Sequence, residues 1–322
     1  MNREEKYTEL FSNPGALGLD EIPVLDYGDF MSFIDLLMRE EGTHCLSYFV
    51  LPEEGFFRFI CCMAADENHA VLLLSHRQPD RPGVSIPSLT ATHFQFHIFE
   101  REIHDETGIL FEGHPWLKPV RFPSSGGAST PGTDPYPYYS IAGEGLHEVG
   151  VGPVHAGIIE PGHFRFTCKG EQVLHLEIRL GYQHRGVEQL FVRHRALLPQ
   201  AMLAEGIAGD TAVGHSLAWA MLTEALSGFQ PGDALRIERT IALELERIAM
   251  HLADTAALCT DVGYQFGQVV CEALRTIVIN TTQFWCGNRF GKGMIRAAAC
   301  HHPMTARIAE EIVKNIREVA SR

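Results

Sequence analysis

Two groups of side chains in this sequence have the type and spacing to do chemistry. The first lies in Val151-Gly-Pro-Val-His-Ala-Gly-Ile-Ile-Glu-Pro-Gly-His163, which offers His155, Glu160 and His163. A partly buried carboxylate has its pKa raised toward neutrality, which is what a proton relay needs; otherwise Glu160 is an ordinary turn glutamate before Pro161. The His155 imidazole can donate a hydrogen bond and then a proton to a carbonyl, or it is a loop histidine satisfied by backbone groups. The second group is the row Glu244, Arg247, His251 and Asp254, which shares one side of a helix. That row reads either as a solvated helix face or as a chain of charges able to pass protons.

A third stretch, Ile207-Ala-Gly-Asp-Thr-Ala-Val-Gly-His215, is informative for what it lacks. His215 lies one turn beyond Thr211 and two beyond Ala208, so all three share a helix face. The stretch resembles a metal-binding helix start, I-C-G-x-C-x-x-x-H, with Ala208 and Thr211 in place of the two cysteines whose soft thiolates would hold a nickel or iron ion. Alanine has no donor atom and a threonine hydroxyl is a poor substitute, so His215 reads as a hydrogen-bonded core histidine and not as a ligand.

The elements that must position these groups fall into an α+β arrangement. Phe30, Phe33, Ile34 and Leu37 predict a helix over 30–39, followed by strands over 45–50, 56–63 and 69–74. The Pro-, Gly- and Ser-rich stretch 123–143 has almost no aliphatic residue and reads as a linker. Beyond it, Phe164, Phe166 and Cys168, a turn at Lys169-Gly170, and then Leu174, Leu176, Ile178 and Leu180 predict a hairpin of two half-buried strands. From about 185 the period is helical. Ile237, Ile241, Leu245, Ile248 and Leu252 place an apolar stripe on a helix over 236–259, and a last helix is expected from Thr305 to the end. The expected division is a small α+β domain over 1–122, the linker 123–143, and a hairpin-led, mainly helical domain over 144–322.

Composition narrows the function. The chain has 322 residues, 26 basic against 40 acidic side chains and a formal charge of −14. That balance argues against binding nucleic acid or an anionic membrane surface by bulk electrostatics. No apolar run nears the roughly 18 residues that span a bilayer, and Met1-Asn-Arg-Glu-Glu-Lys-Tyr7 lacks a signal peptide's apolar core. A cytoplasmic location is therefore expected. The eight cysteines are scattered without a C-x-x-C pair, so they are expected reduced and mostly buried, with Cys61-Cys62 in a strand core. There is no cysteine cluster for an Fe–S centre and no G-x-G-x-x-G after a strand for a dinucleotide.

Several motifs in order carry a resemblance. Phe99-Glu-Arg-Glu-Ile-His-Asp-Glu-Thr-Gly-Ile109 and Glu112-Gly-His-Pro-Trp-Leu117 resemble the signature of the small hydrophilic subunit of respiratory complex I. From Val151 onward the chain resembles the large subunit of energy-converting, membrane-bound [NiFe] hydrogenases, relatives of the complex I quinone-site subunit. The matching residues are Val151–His163, Gly181-Tyr-Gln-His-Arg-Gly-Val-Glu188, the Glu244–Leu252 helix, Asp261-Val-Gly-Tyr264 and Asn288-Arg-Phe-Gly-Lys-Gly293.

The resemblance implies a subunit of a membrane-associated, complex I-like oxidoreductase. Its partners would be an iron–sulfur small subunit, which holds the Fe–S clusters, and antiporter-like membrane subunits, with this chain peripheral on the cytoplasmic face. It implies Glu160 as the proton-passing carboxylate and His155 as a quinone contact. His163, His184, Arg185, Glu188 and His215 would wall a pocket, and Glu244, Arg247 and His251 would form a buried relay. Ala208 and Thr211 stand where the family has ligand cysteines and no later C-x-x-C follows, so no Ni–Fe site and no bound cofactor is expected, a quinone apart. The lack of that second pair also implies that a C-terminal part of the family fold is missing. An active hydrogenase is refused on the same residues, and any NADH oxidation falls to another subunit. The alternative is a non-catalytic subunit that joins a redox arm to an ion-translocating membrane arm.

Overall fold

The computed structural model describes residues 7–10, 14–121, 136–155 and 160–322. Most of the stretch expected as a linker, 123–135, lies outside the described residues, as do residues 156–159 beside Glu160. The architecture is α+β, in two compact units: one of residues 17–185 with the N-terminal strand, the other of residues 186–322 with 14–16.

The first unit is built on a five-stranded sheet. Strands β1 (Thr8–Leu10), β2 (Val24–Leu25), β3 (Thr43–Glu53), β4 (Phe56–Ala65) and β5 (Ala70–Pro79) are ordered β1-β5-β4-β3, with the short β2 parallel to β5. Helix α1 (Tyr27–Leu37) packs against β5 and α2 (His97–Thr107) against β3. The α1 residues that the sequence pattern selects, Phe30, Phe33, Ile34 and Leu37, are all buried with Tyr48, Phe59, Met63 and Leu74. Cys61 is buried and Cys62 half-buried in β4 as expected, and all eight cysteines are unpaired, with Cys300 exposed. Two short strands, β6 (Ser85–Pro87) and β7 (Leu110–Glu112), pair in parallel beside α2.

The predicted hairpin exists as β9 (His163–Lys169) and β10 (Gln172–Arg179), with Gly170 at positive φ in the turn. A strand not foreseen, β8 (Leu146–Val151), pairs antiparallel with β9 and completes the sheet. Its facing differs from the expectation. Glu177 is 1% exposed, whereas Leu174, Leu176 and Ile178 are 43–45% exposed. The polar side of β10 is turned inward because Glu177 accepts a hydrogen bond from Lys118 Nζ at 2.6 Å and from the Tyr139 N–H at 2.8 Å.

The second unit is helical: α3 (Val187–Arg193), α4 (Leu197–Ala204), α5 (Ala212–Ser227), α6 (Asp233–Asp261), α7 (Gln265–Cys286) and α8 (Ala306–Ser321), with a two-residue pair β11 (Ile295–Arg296) and β12 (Ala299–Cys300). Helices α6 and α7 form a long antiparallel hairpin, with α5 against α6 and α8 against α7. Thr305 caps α8 by accepting the Ile308 N–H. The buried face of α6 is Arg239, Ala242, Leu245, Ala249 and Ala256, while Ile237 is exposed. The buried row is thus displaced from the aliphatic stripe, because small alanine side chains let neighbouring helices come close and push the longer isoleucines to the flank. Among the described residues no helix is long and apolar enough to cross a membrane.

Candidate functional site

Gly152 and Gly162 meet in one close backbone approach. Gly152 has a φ of +90°, and a Cβ there would lie 2.2 Å from the Gly162 carbonyl oxygen and 2.7 Å from His155 Nε2. Only glycine fits, which is the physical reason for the Gly-Pro-Val-His pattern. His155 Nε2 donates to the Gly162 carbonyl at 2.7 Å, and the Gly162 N–H returns a bond to the Pro153 carbonyl at 3.1 Å. His163 Nδ1 lies 3.3 Å from the Gly152 carbonyl, with its ring edge-on to Tyr138. His155 and His163 thus contact two different carbonyls, those of Gly162 and Gly152, on either side of this approach. Glu160 is exposed, so the partial burial on which a relay depends is not supplied by this chain's described residues. His184 and Arg185 are exposed at the end of the same unit.

In the second unit Glu188 is exposed in the first turn of α3. Along α6, Glu244, Arg247, His251 and Asp254 are all exposed, and Glu244 pairs with Arg247 at 2.9 Å. The burial that the implied relay needs is thus not supplied by this chain's own described residues. The reason is geometric: these positions lie opposite the alanine row that contacts the neighbouring helices.

The start of α5 is organised by a residue that spacing did not single out. Thr211 occupies the cap position, but its side chain makes no capping bond. Instead the Glu246 carboxylate reaches across from α6 and accepts the N–H groups of Val213 at 2.7 Å and Gly214 at 2.8 Å. First-turn N–H groups have no partner within their own helix, and an anion there also meets the positive end of the helix dipole. Burial raises the Glu246 carboxyl above its usual range; the two N–H bonds oppose the shift and nearby Asp210 adds to it. His215 is half-buried one turn on. A cleft of about 270 Å³ of empty space, part of it open to solvent, is lined by Asp210, Val213, Leu245, Glu246, Thr282 and Arg289. Only about 10 Å³ of it accepts the centre of a water-sized sphere, room for about one water and not for a small-molecule ligand.

Other buried charges in this unit hold its β11–β12 corner. Glu224 takes a two-pronged bond from Arg239 at 2.6 and 2.9 Å and the Ala298 N–H at 2.7 Å. Burial raises the Glu224 carboxyl, but these bonds outweigh it and leave it below its ordinary value. Glu205 accepts the Gly293 N–H at 2.8 Å and pairs with Arg296. Each partner lies 15 to 91 residues away, so no local spacing signals these roles. Among the described residues no group of three or more His, Cys, Asp or Glu side chains is placed to hold a metal ion.

The Glu-Arg-Glu signature of α2 is structural in detail. Glu100 is fully buried and takes hydrogen bonds from Ser88 Oγ at 2.5 Å, Thr90 Oγ1 at 2.6 Å and the Leu89 N–H at 2.7 Å. Burial raises its pKa and these donors oppose the shift. Arg101 clamps the carbonyls of Lys118 at 2.7 Å and Pro119 at 3.0 Å, while Asp105 accepts the Val120 N–H. The motif thus fixes the segment that delivers Lys118 to Glu177.

Residues 28–131 match the model of the respiratory-chain NADH dehydrogenase 30 Kd subunit family. The chain is 25% identical over 237 residues to hydrogenase-4 component G of Escherichia coli, covering 68% of this chain and 43% of that protein. It is 28% identical to the membrane-bound hydrogenase subunit alpha of Pyrococcus furiosus, over 52% of this chain and 40% of that protein. With the fused C/D polypeptide of the NADH-quinone oxidoreductase of Bacteroides thetaiotaomicron it shares 27% identity over 57% of this chain and 40% of that one. The matched part spans about two fifths of these relatives' length. A chain of an archaeal membrane-bound sulfane sulfur reductase shares the fold, with a TM-score of 0.50 at 17% identity over 57% of this chain and 48% of that one. The protein thus carries a domain of the 30 Kd type and is homologous to hydrogenase and NADH-quinone oxidoreductase subunits.

Proposed function

We propose that this chain is a subunit of a membrane-associated, complex I-like electron-transfer complex, and that it works without a Ni–Fe centre. The observation that carries the first part is the double homology, to a complex I 30 Kd domain and to membrane-bound hydrogenase subunits within one chain. The second part rests on the start of α5. Ala208 offers no donor atom, Thr211 offers only a hydroxyl, and the N–H groups of Val213 and Gly214 are taken by Glu246. These residues do not fit a soft-metal group.

On this reading the partners are an iron–sulfur small subunit and antiporter-like membrane subunits, which hold the chain at the cytoplasmic face. Glu160 is the residue assigned to proton transfer and His155 the one assigned to a quinone carbonyl. His163, His184, Arg185, Glu188 and His215 are assigned to pocket walls. The pKa shift that a relay needs would come from a partner surface covering the exposed Glu160. A second reading, a non-catalytic subunit joining the redox and membrane arms, is favoured by the exposure of Glu160 and by the solvated face of α6.

The test is purification of the tagged chain from native membranes, with the co-purifying polypeptides identified by mass spectrometry. An iron–sulfur subunit and antiporter-like membrane subunits are expected. Recovery of the chain alone would mean that the homology reports ancestry and not present function.

A further inference from the structure

The turn between α6 and α7 carries an apolar surface that the fold leaves uncovered. Leu258 and Val262 at the end of α6, Tyr264 in the turn, and Phe266 and Val269 at the start of α7 are between 54% and 79% exposed. Leu258 and Val262 are four residues apart, and Phe266 and Val269 three, so each pair lies on one side of its helix. Together they present on the order of 500 Å² of apolar surface, the size of the largest patch on a typical monomer, which is often functional.

This knob is rigid. Gly263 turns the chain at a φ of +73°, and the Tyr264 N–H bonds the Cys259 carbonyl at 2.7 Å. The Tyr264 ring lies so close to Gly267 that a Cβ there would meet it at 2.5 Å and would meet Cys259 Sγ at 2.8 Å. An aromatic side chain already held in place loses little entropy on binding, which is the property of an interface anchor.

Its charge has one sign. Between Arg247 and Arg275 the sequence has no lysine or arginine, whereas Asp254, Asp261 and Glu272 fall inside that stretch and are all exposed. Asp254, Leu258, Asp261 and Val262 follow helical spacing, so the acids flank the apolar residues on the same face.

We propose that the α6–α7 turn docks into an apolar socket rimmed by lysine or arginine on a different polypeptide. A second copy of this chain would set Asp254 and Asp261 against their own counterparts, which like-charge repulsion disfavours. The surface is smaller than the roughly 800 Å² per partner of a standard interface, so it forms one part of a larger footprint. The proposal presupposes a partner subunit, as the function proposed above does.

The experiment places a photoreactive benzoylphenylalanine at Phe266 of the full chain in its native host, with a control at exposed Val313 on α8. Irradiation is expected to join position 266, but not 313, to one other polypeptide at a peptide carrying clustered lysine or arginine. Asp254→Lys with Asp261→Lys should reduce that adduct at least about tenfold. An adduct with a second copy, an adduct with lipid, no adduct, or an adduct indifferent to the two lysines would each overturn the proposal. Membrane subunits that co-purify while position 266 joins nothing would overturn this surface alone and leave the function intact.

Discussion

The carboxylate of Glu246, on α6, accepts the N–H of Val213 in the first turn of α5 at 2.7 Å. A side chain 33 residues along the chain thus satisfies the helix start directly after Thr211. Replacing Glu246 with alanine leaves two first-turn N–H groups without an acceptor and should lower stability by about 1–2 kcal/mol, read as a shift in urea midpoint. An unchanged midpoint would show that water replaces the cap at no cost.

Glu246 also has a pH signature. Its carboxyl is raised by burial, so the folded state favours the protonated form. That contribution is present below the ordinary carboxylate pKa of about 4.3 and is lost as pH rises through the folded value. Glu246→Gln removes this titration, so its stability should fall less than the parent's as pH rises from about 4.3. Parallel curves for parent and variant would contradict the assignment.

His76 works in the opposite direction on the pH axis. It is buried against Phe59, bonded to the Tyr48 hydroxyl at 2.7 Å, and pushed down to about 3 by burial. A histidine held neutral contributes stability above its ordinary pKa of about 6.5 and loses it progressively as pH falls toward the folded value. Between about pH 6.5 and 4.5 the parent should lose roughly 2–3 kcal/mol that a His76→Gln variant keeps, since each tenfold change in proton affinity is worth about 1.4 kcal/mol. Urea unfolding at the two pH values measures the difference.

Lys118 and Glu177 form a second test. Glu177 is buried and Lys118 Nζ is 2.6 Å away. Lys118→Met strands a buried carboxylate and should cost about 2–4 kcal/mol, whereas Lys118→Met combined with Glu177→Leu should recover most of it. A double variant no more stable than the single one would show that the ion pair does not set the facing of β10.

At the α6–α7 turn, Gly267→Ala drives a Cβ to 2.5 Å from the Tyr264 ring. The ring must move or the helix start must shift, at about 1–3 kcal/mol. A variant as stable as the parent would mean that the ring swings freely and the knob is not preformed.

Much of this fold was legible because its signals are local. The apolar spacing of α1, the alternation of β9 and β10 around Gly170, and the long period of α6 each lie within one element. What escaped is non-local. The inward turn of Glu177 depends on Lys118, 59 residues earlier, and in the strand β8 the apolar Leu146, Val149 and Val151 do not keep a period of two, with Gly150 in its interior. The buried row on α6 follows alanines, which hydrophobic periodicity weights lightly. At the candidate site, Gly152, His155 and His163 were readable from their motif. Glu246, Glu224 and Glu205 were not, because a carboxylate that caps a distant helix or corner looks in sequence like any surface acid.

The start of α5 carries the central claim, and metal content tests it most directly. The complex purified from native membranes through this chain should contain iron from its partner's clusters and nickel only at background. Glu160→Gln should slow its electron transfer without changing which polypeptides it contains. Nickel in stoichiometric amount with this chain would contradict the account, since it would require ligands at a helix start where Ala208 and Thr211 offer no thiolate.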